Sequence, residues 1–475
     1  MFCKKQSGPK DYMDLFQIIN KDLFISNPES IRLEFIKRNP DKSFENTAQY
    51  LLKLVTDSLI HIRTRNDKQF QQYFSLMRAK VLFERSISKE GFKELKKAQK
   101  LANSNEDNLA LSYGYSQELS HLSELGFPEM TEDKLIETHM KIKKNLRQLH
   151  QIQEHSSLYQ LLRYRLLHSK KSLSTSDKTK LNDLIITELS IITRGSPTNF
   201  ETQKTHLLFQ SFFLMQTGEY QSSIKSFKEL NELFESKKSL WKIPPYDYLN
   251  ALEGILDNLR SIADYDEMKF FIKKIEKLLE QKYPEHFQAI AKQTVYIYKL
   301  NILIEKGEPS EAIQFSESIP AALTKNENLV NYEKRAELLF FIALCYFCSE
   351  DYQKAKKQIN TIKNFDKMNV NSNIHRVSWL LQILIYYELD DLLYLDYEIR
   401  SYKRTFKKNG GILKTENLVF KMIKHDPRRK NKLRNIKFLN RIAKDIPEIR
   451  WSNYERQILK YYDFISWIFT KLNIQ

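Results

Sequence analysis

The chain has 475 residues, 41% of them hydrophobic and 28% charged, which suits two or three folded domains or one extended array and excludes global disorder. Its ten glycines amount to about 2%, against ~7% in an ordinary protein, which argues against a doubly wound α/β enzyme with glycine-rich βα turns. The net charge is +17, and three cysteines, Cys3, Cys345 and Cys348, are too few for a disulfide framework.

The first residues, MFCKKQSGPKDY, are basic but carry no apolar core of a secretory signal. The longest uncharged apolar run, Leu338 to Ser349, falls short of the ~18 residues needed to span a bilayer. A cytoplasmic protein without a transmembrane segment is expected.

Residues 1–194 read as an irregular helical region. Pro28 follows a candidate cap, Asn27. Ala48, Leu51, Leu52, Val55 and Leu59 form one stripe at helical spacing. Phe70, Tyr73, Phe74, Met77 and Val81 form another, and Phe92, Leu95, Ala98 and Leu101 follow the break at Gly91. Gly195-Ser196-Pro197 punctuates the chain, and residues 195–408 make the second region.

There a repeat becomes legible. Five turns precede Ser223, Met268, Ala312, Ala355 and Leu395, which lie 45, 44, 43 and 40 residues apart. Twelve positions before each comes Ser211, Leu256, Leu300, Ala343 or Ile383 in a first helix. Four positions after each comes Phe227, Ile272, Ser316, Ile359 or Ile399 in a second helix. A fixed period with these offsets predicts an all-α solenoid of antiparallel helix pairs, each burying its apolar face on its neighbours.

Ala343, Tyr346, Asp351, Tyr352, Ala355 and Ile359 carry the small, aromatic and turn positions by which residues 198–408 resemble the tetratricopeptide-repeat (TPR) superfamily. The period exceeds that family's usual ~34 residues, and longer repeats of this kind are typical of bacterial regulators that sense peptides. The resemblance implies a right-handed, TPR-like solenoid with one row of each first helix on a concave face. That row would include Asn250, Glu253, Asp257, Arg260 and Asn301, a polar set suited to a peptide backbone. Elsewhere the row is apolar, at Leu208, Phe212, Met215, Ile297, Ile304, Phe340, Leu344, Phe347, Leu380, Leu384 and Tyr387. It therefore takes an apolar partner helix or is filled by the protein itself, and self-filling is favoured because monomers seldom expose large apolar patches.

Residues 409–475 form a basic helical module after Gly410-Gly411. Between Arg400 and Lys444, 16 lysines and arginines face two acids, Glu416 and Asp426, so +14 of the total charge is local. Asp426-Pro427 is expected to open a helix. Lys430, Arg434, Lys437, Arg441 and Lys444 would share one face, opposite Leu433, Ile436, Leu439, Ile442 and Ala443. Such a face suits nucleic-acid phosphate, with Tyr402, Phe406 and Phe420 nearby for stacking, or another polyanion; a merely solvated face is the plainer alternative. The aromatic stripe over 453–472 is expected to close the array.

No catalytic residue, cofactor or metal site is expected. Cys345 and Cys348 lie inside a long apolar helix without further zinc ligands, and His150 and His155 fall on different helical faces. The expected function is a non-enzymatic scaffold or adaptor that binds protein or peptide. The alternatives are a regulator contacting nucleic acid or another polyanion through 400–444, and a peptide-sensing regulator.

Overall fold

The computed structural model describes residues 11–21, 28–168, 175–195, 198–325, 332–364, 372–408, 411–430 and 432–472. Cys3, Ser196, Pro197 and Gly410 lie outside them. The described residues form 24 α-helices and no strand. None of these helices is long and apolar enough to cross a membrane. The chain divides into two compact units, Met1–His150 and Gln151–Gln475.

The first unit holds α1 (Asp11–Lys21), α2 (Pro28–Arg38), α3 (Phe44–Asn66), α4 (Lys68–Glu84), α5 (Ser88–Ser104), α6 (Asn108–Glu124) and the start of α7 (Glu132–His168), which continues into the second. Ser43, Asp67 and Asp107 cap α3, α4 and α6 by accepting hydrogen bonds from first-turn amides. Helices α4 and α5 approach so closely that a Cβ on Gly91 would lie 2.5 Å from the Phe83 ring. That approach corrects the expected stripe on α4: Gln72, Ser75, Leu76 and Ala79 are its buried face, while Tyr73, Phe74, Met77 and Val81 are exposed. Among these buried residues the polar Gln72 is satisfied, since it donates to the Asp107 carboxylate and accepts from Asn105 at 2.8 Å.

The second unit continues with α8 (Thr175–Arg194), α9 (Phe200–Thr217), α10 (Tyr220–Ser236), α11 (Tyr246–Ile262), α12 (Tyr265–Leu279), α13 (Glu285–Glu305), α14 (Pro309–Glu317) and α15 (Ala322–Lys325). Then come α16 (Tyr332–Cys348), α17 (Tyr352–Lys363), α18 (Asn373–Glu388) and α19 (Leu392–Lys408). The last are α20 (Lys414–His425), α21 (Lys432–Ile442), α22 (Ile446–Trp451), α23 (Asn453–Leu459) and α24 (Phe464–Lys471).

Five adjacent helix pairs, α9/α10, α11/α12, α13/α14, α16/α17 and α18/α19, occupy the stretch where the sequence is periodic. Their turns share one backbone device. Gly218, Ala263, Gly307, Glu350 and Asp390 all have positive φ. The amide after each donates back across the turn, from Glu219, Asp264, Glu308, Asp351 and Asp391 to the carbonyls of Leu214, Leu259, Leu303, Tyr346 and Tyr386, at 2.9 to 3.1 Å. This is the Schellman pattern, which satisfies carbonyls left over at a helix end. Each positive-φ residue stands five positions before a marker residue, so the backbone repeats with the sequence period. The marker residues and their first-helix counterparts are all buried, and in the first pair Ser223 donates to the Ser211 carbonyl at 2.8 Å.

Helix α16 is apolar on all sides because it is covered on all sides. It contacts α13, α14, α15, α17 and α18, and every residue from Leu338 to Phe347 is buried. The chain's end supplies another layer. Tyr461 packs edge-on against Phe340 at 5.9 Å, Tyr462 against Phe347 at 6.0 Å and Trp467 against Tyr387 at 5.7 Å. Trp467 and Lys471 both donate to Glu388, at 3.0 and 2.8 Å. The apolar row of the fourth and fifth pairs is thus filled by the chain's own last residues.

Candidate functional site

Four residues of the expected polar row, Asn250, Glu253, Asp257 and Arg260, come together in an open cavity of about 270 Å³. Periodicity explains why: on α11 they sit three, four and three positions apart, on one face. Asn301, the fifth, is buried in α13 and does not line this cavity.

The cavity is a closed charge network. Lys460 donates to Asp257 at 2.9 and 2.7 Å, Arg260 donates to Asp257 at 2.6 Å and to Glu337 at 2.9 Å, and Lys334 pairs with Glu253. The Arg260 guanidinium also faces the rings of Tyr461 (4.7 Å), Tyr298 (5.0 Å) and Phe341 (5.7 Å), where a desolvated cation gains from the aromatic quadrupole. Burial would raise the Asp257 pKa, but Lys460 and Arg260 outweigh it and hold the carboxyl well below its usual range. Burial likewise opposes the Lys334 ammonium, and Glu253 and Glu337 more than offset it. Asp257 and Lys334 are thereby kept charged despite their burial.

In the basic segment the five cations singled out from sequence, Lys430, Arg434, Lys437, Arg441 and Lys444, are all exposed. The surrounding elements correct the expectation in two ways. The helix does not open at Asp426-Pro427: residues 427–429 form a 3-10 turn, α21 begins at Lys432, and Lys444 lies in the turn beyond it. Helix α21 docks through Asn435, Phe438 and Ile442, while Leu433 is 70% exposed and Ile436 and Ala443 are exposed too. The His425 ring stacks on Phe438 at 4.3 Å and its Nε2 lies 2.8 Å from Asn435, which fixes that rotation.

Tyr402, Phe406 and Phe420 are buried and cannot stack on bases. They surround a second internal network. Glu416, fully buried, accepts from Tyr402 at 2.6 Å, from the Leu413 amide at 2.8 Å and from Arg376 at 3.2 Å. Asp426 accepts from Tyr387 at 3.1 Å and from Arg428 at 3.0 Å, and pairs with Arg429 at 2.9 Å. Both acids of the segment are therefore spent internally, and the charge it presents outward is positive.

Burial pushes the Cys348 thiol up to about 12 and Cys345 higher still, so neither offers a thiolate near neutrality. In the first unit Ser88 Oγ lies 3.0 Å from His121 Nε2, and His121 Nδ1 lies 3.1 Å from Glu124. That order of atoms matches a nucleophilic relay, but the Glu124 side chain is 69% exposed. A solvated carboxylate neither fixes the imidazole nor stabilises its cation as a buried one does. We assign this trio no catalytic role.

One constellation escaped the sequence. His155 of α7, Glu188 of α8 and His206 of α9 each bring a ligand-type atom within 4.8 Å of the others. Burial first, then His206, pushes His155 below its ordinary pKa. No local spacing signals this group, because its three members lie on three helices.

The sequence matches no protein-family model and no curated protein.

Proposed function

We propose that the chain is a non-enzymatic scaffold of TPR-like helix pairs that holds a peptide or protein segment over its first-helix row. The observation that carries this reading is the insertion of Lys460 and Tyr461 against Asp257 and Arg260. An extended carboxylate–guanidinium surface that accepts a basic residue followed by an aromatic one in cis is chemically able to accept the same pair from another chain. Asn250 and Glu253, the latter paired with Lys334, also line that cavity. Binding there would follow the pattern in which a few buried anchors carry most of the energy.

A peptide-library selection on the full chain carrying Lys460→Ala, which empties the ammonium position, tests the reading. Peptides that present a basic residue should be enriched, and Asp257→Asn added to the same background should abolish that enrichment. Failure to enrich any sequence over the double variant would remove the basis for a peptide-binding role.

A second reading rests on the five exposed cations of 430–444 and the internal use of Glu416 and Asp426. This surface suits a polyanion such as nucleic acid, held through phosphates rather than base stacking. Affinity should then fall linearly in log–log terms with salt, and charge reversal at Lys430, Arg434, Lys437 and Arg441 should eliminate it. No retention of DNA or RNA at low salt would rule it out.

A further inference from the structure

His155, Glu188 and His206 converge inside the second unit on three consecutive helices. His155 is 2% and Glu188 3% exposed. His206 Nδ1 lies 2.8 Å from Glu188 Oε1, within ion-pair reach, yet neither atom makes a hydrogen bond of acceptable direction. Contact without a directed proton is a poor resting arrangement for two buried polar atoms, and buried polar atoms are normally satisfied. Among the described residues, His206 is the one basic partner recorded for Glu188.

We propose that these three side chains bind one divalent transition-metal ion of the zinc class, tying α7, α8 and α9 together. This site is separate from the charged cavity and does not depend on the partner-binding reading.

The donor set argues for the metal class. Two imidazoles and one carboxylate suit zinc or a neighbouring first-row ion, whereas calcium and magnesium prefer oxygen ligands throughout and copper(I) prefers sulfur. Zinc–ligand bonds of ~2.0–2.2 Å place tetrahedral ligands roughly 3.3–3.5 Å apart, so closing a 4.8 Å spread needs less than about 1 Å of movement from each side chain. Three protein ligands leave at least one coordination position for water. The setting strengthens the case. Leu158 and Leu162, Leu184 and Ile191, and Phe209 and Phe213 belong to one apolar cluster at helical spacing from the three ligands. An apolar surround excludes competing water and raises the benefit of placing a cation beside a buried carboxylate.

The test uses the full chain, stripped with chelator, desalted and titrated with zinc chloride by calorimetry. One equivalent should bind. Glu188→Gln and His206→Gln should each weaken binding at least tenfold, while His286→Gln should leave it unchanged. Circular dichroism checks that each variant keeps its helicity. Cobalt(II) gives a readout on the unaltered chain: bound in the site, it should show the intensified visible absorption of a low-coordinate ion. Zinc binding no tighter in the unaltered chain than in the folded Glu188→Gln variant would overturn the proposal. So would a cobalt spectrum identical to that of the hydrated ion, an outcome that stands even if the variants fail to fold. A protonated His206 that simply neutralises Glu188 predicts both of those negative results.

Discussion

The Lys460 ammonium donates to both carboxylate oxygens of Asp257, at 2.9 and 2.7 Å, across 203 residues of chain. This contact fastens the chain's end to the second helix pair, and α23 also touches α11 and α18. Removing one member strands the other in a site of low polarity. Asp257→Asn or Lys460→Met should each cost about 3 kcal/mol in urea unfolding followed by circular dichroism. The Asp257→Asn, Lys460→Met pair should cost less than the sum of the single changes. Strict additivity would show that the two groups are not coupled.

The second buried network predicts a sharper loss. Arg376 and Glu416 join α18 to the start of α20, and Glu455 accepts from the Lys414 and Thr415 amides at 2.7 and 3.0 Å, capping α20 from α23. Glu416→Ala leaves the Arg376 cation buried without its carboxylate and should destabilise the chain by about 3–5 kcal/mol. Glu455→Ala removes only a helix cap and should cost about 1–2 kcal/mol. Equal effects from the two would contradict this ordering.

Acid should weaken the fold in a defined window. Burial would raise the Glu235 pKa, but hydrogen bonds from Tyr248, Lys238 and Lys274 outweigh it and hold it at about 2, below its ordinary 4.5. A carboxyl depressed in the folded state adds stability that is complete above the unfolded value and disappears as pH falls through the folded one. The melting-temperature gap between the unaltered chain and Glu235→Gln should therefore be largest near neutrality and shrink between about pH 4.5 and about pH 2. A gap that widens on acidification would show the opposite linkage.

Two backbone positions predict opposite responses. Ala263 holds a left-handed conformation at φ 60, which an L-residue adopts only at some cost, so Ala263→Gly should stabilise by about 0.5–1 kcal/mol. At Gly254 an added Cβ would run into the fully buried Phe227 ring, so Gly254→Ala should destabilise by about 1–3 kcal/mol. Chemical unfolding of both variants checks the pair of signs.

Thiol chemistry gives a simpler measurement. With Cys345 and Cys348 both raised by burial, a Cys3→Ser chain should show no fast labelling by a thiol reagent until it unfolds. Prompt labelling of either residue in the folded chain would contradict the upward shift of both thiols.

Local and periodic features are legible in the order of residues alone. The spacing of 45, 44, 43 and 40 residues between Ser223, Met268, Ala312, Ala355 and Leu395 reappears in the left-handed turn residues, because one turn geometry serves every pair. The positions of Asn250, Glu253, Asp257 and Arg260 on one face were legible for the same reason. What covers that face was decided only by tertiary structure: nothing near Asp257 announces a partner at Lys460. The exposure of Leu433 and the burial of Phe438 likewise depend on how α21 meets His425, not on its own pattern. On α4 the apolar stripe even misled, since the buried face is set by what α5 and the 105–107 turn bring to it, Gln72 bonding Asn105 and Asp107. His155, Glu188 and His206 mark the limit most clearly. Each is unremarkable in its own helix, and only the packing of three helices brings their ligand-type atoms within 4.8 Å of one another.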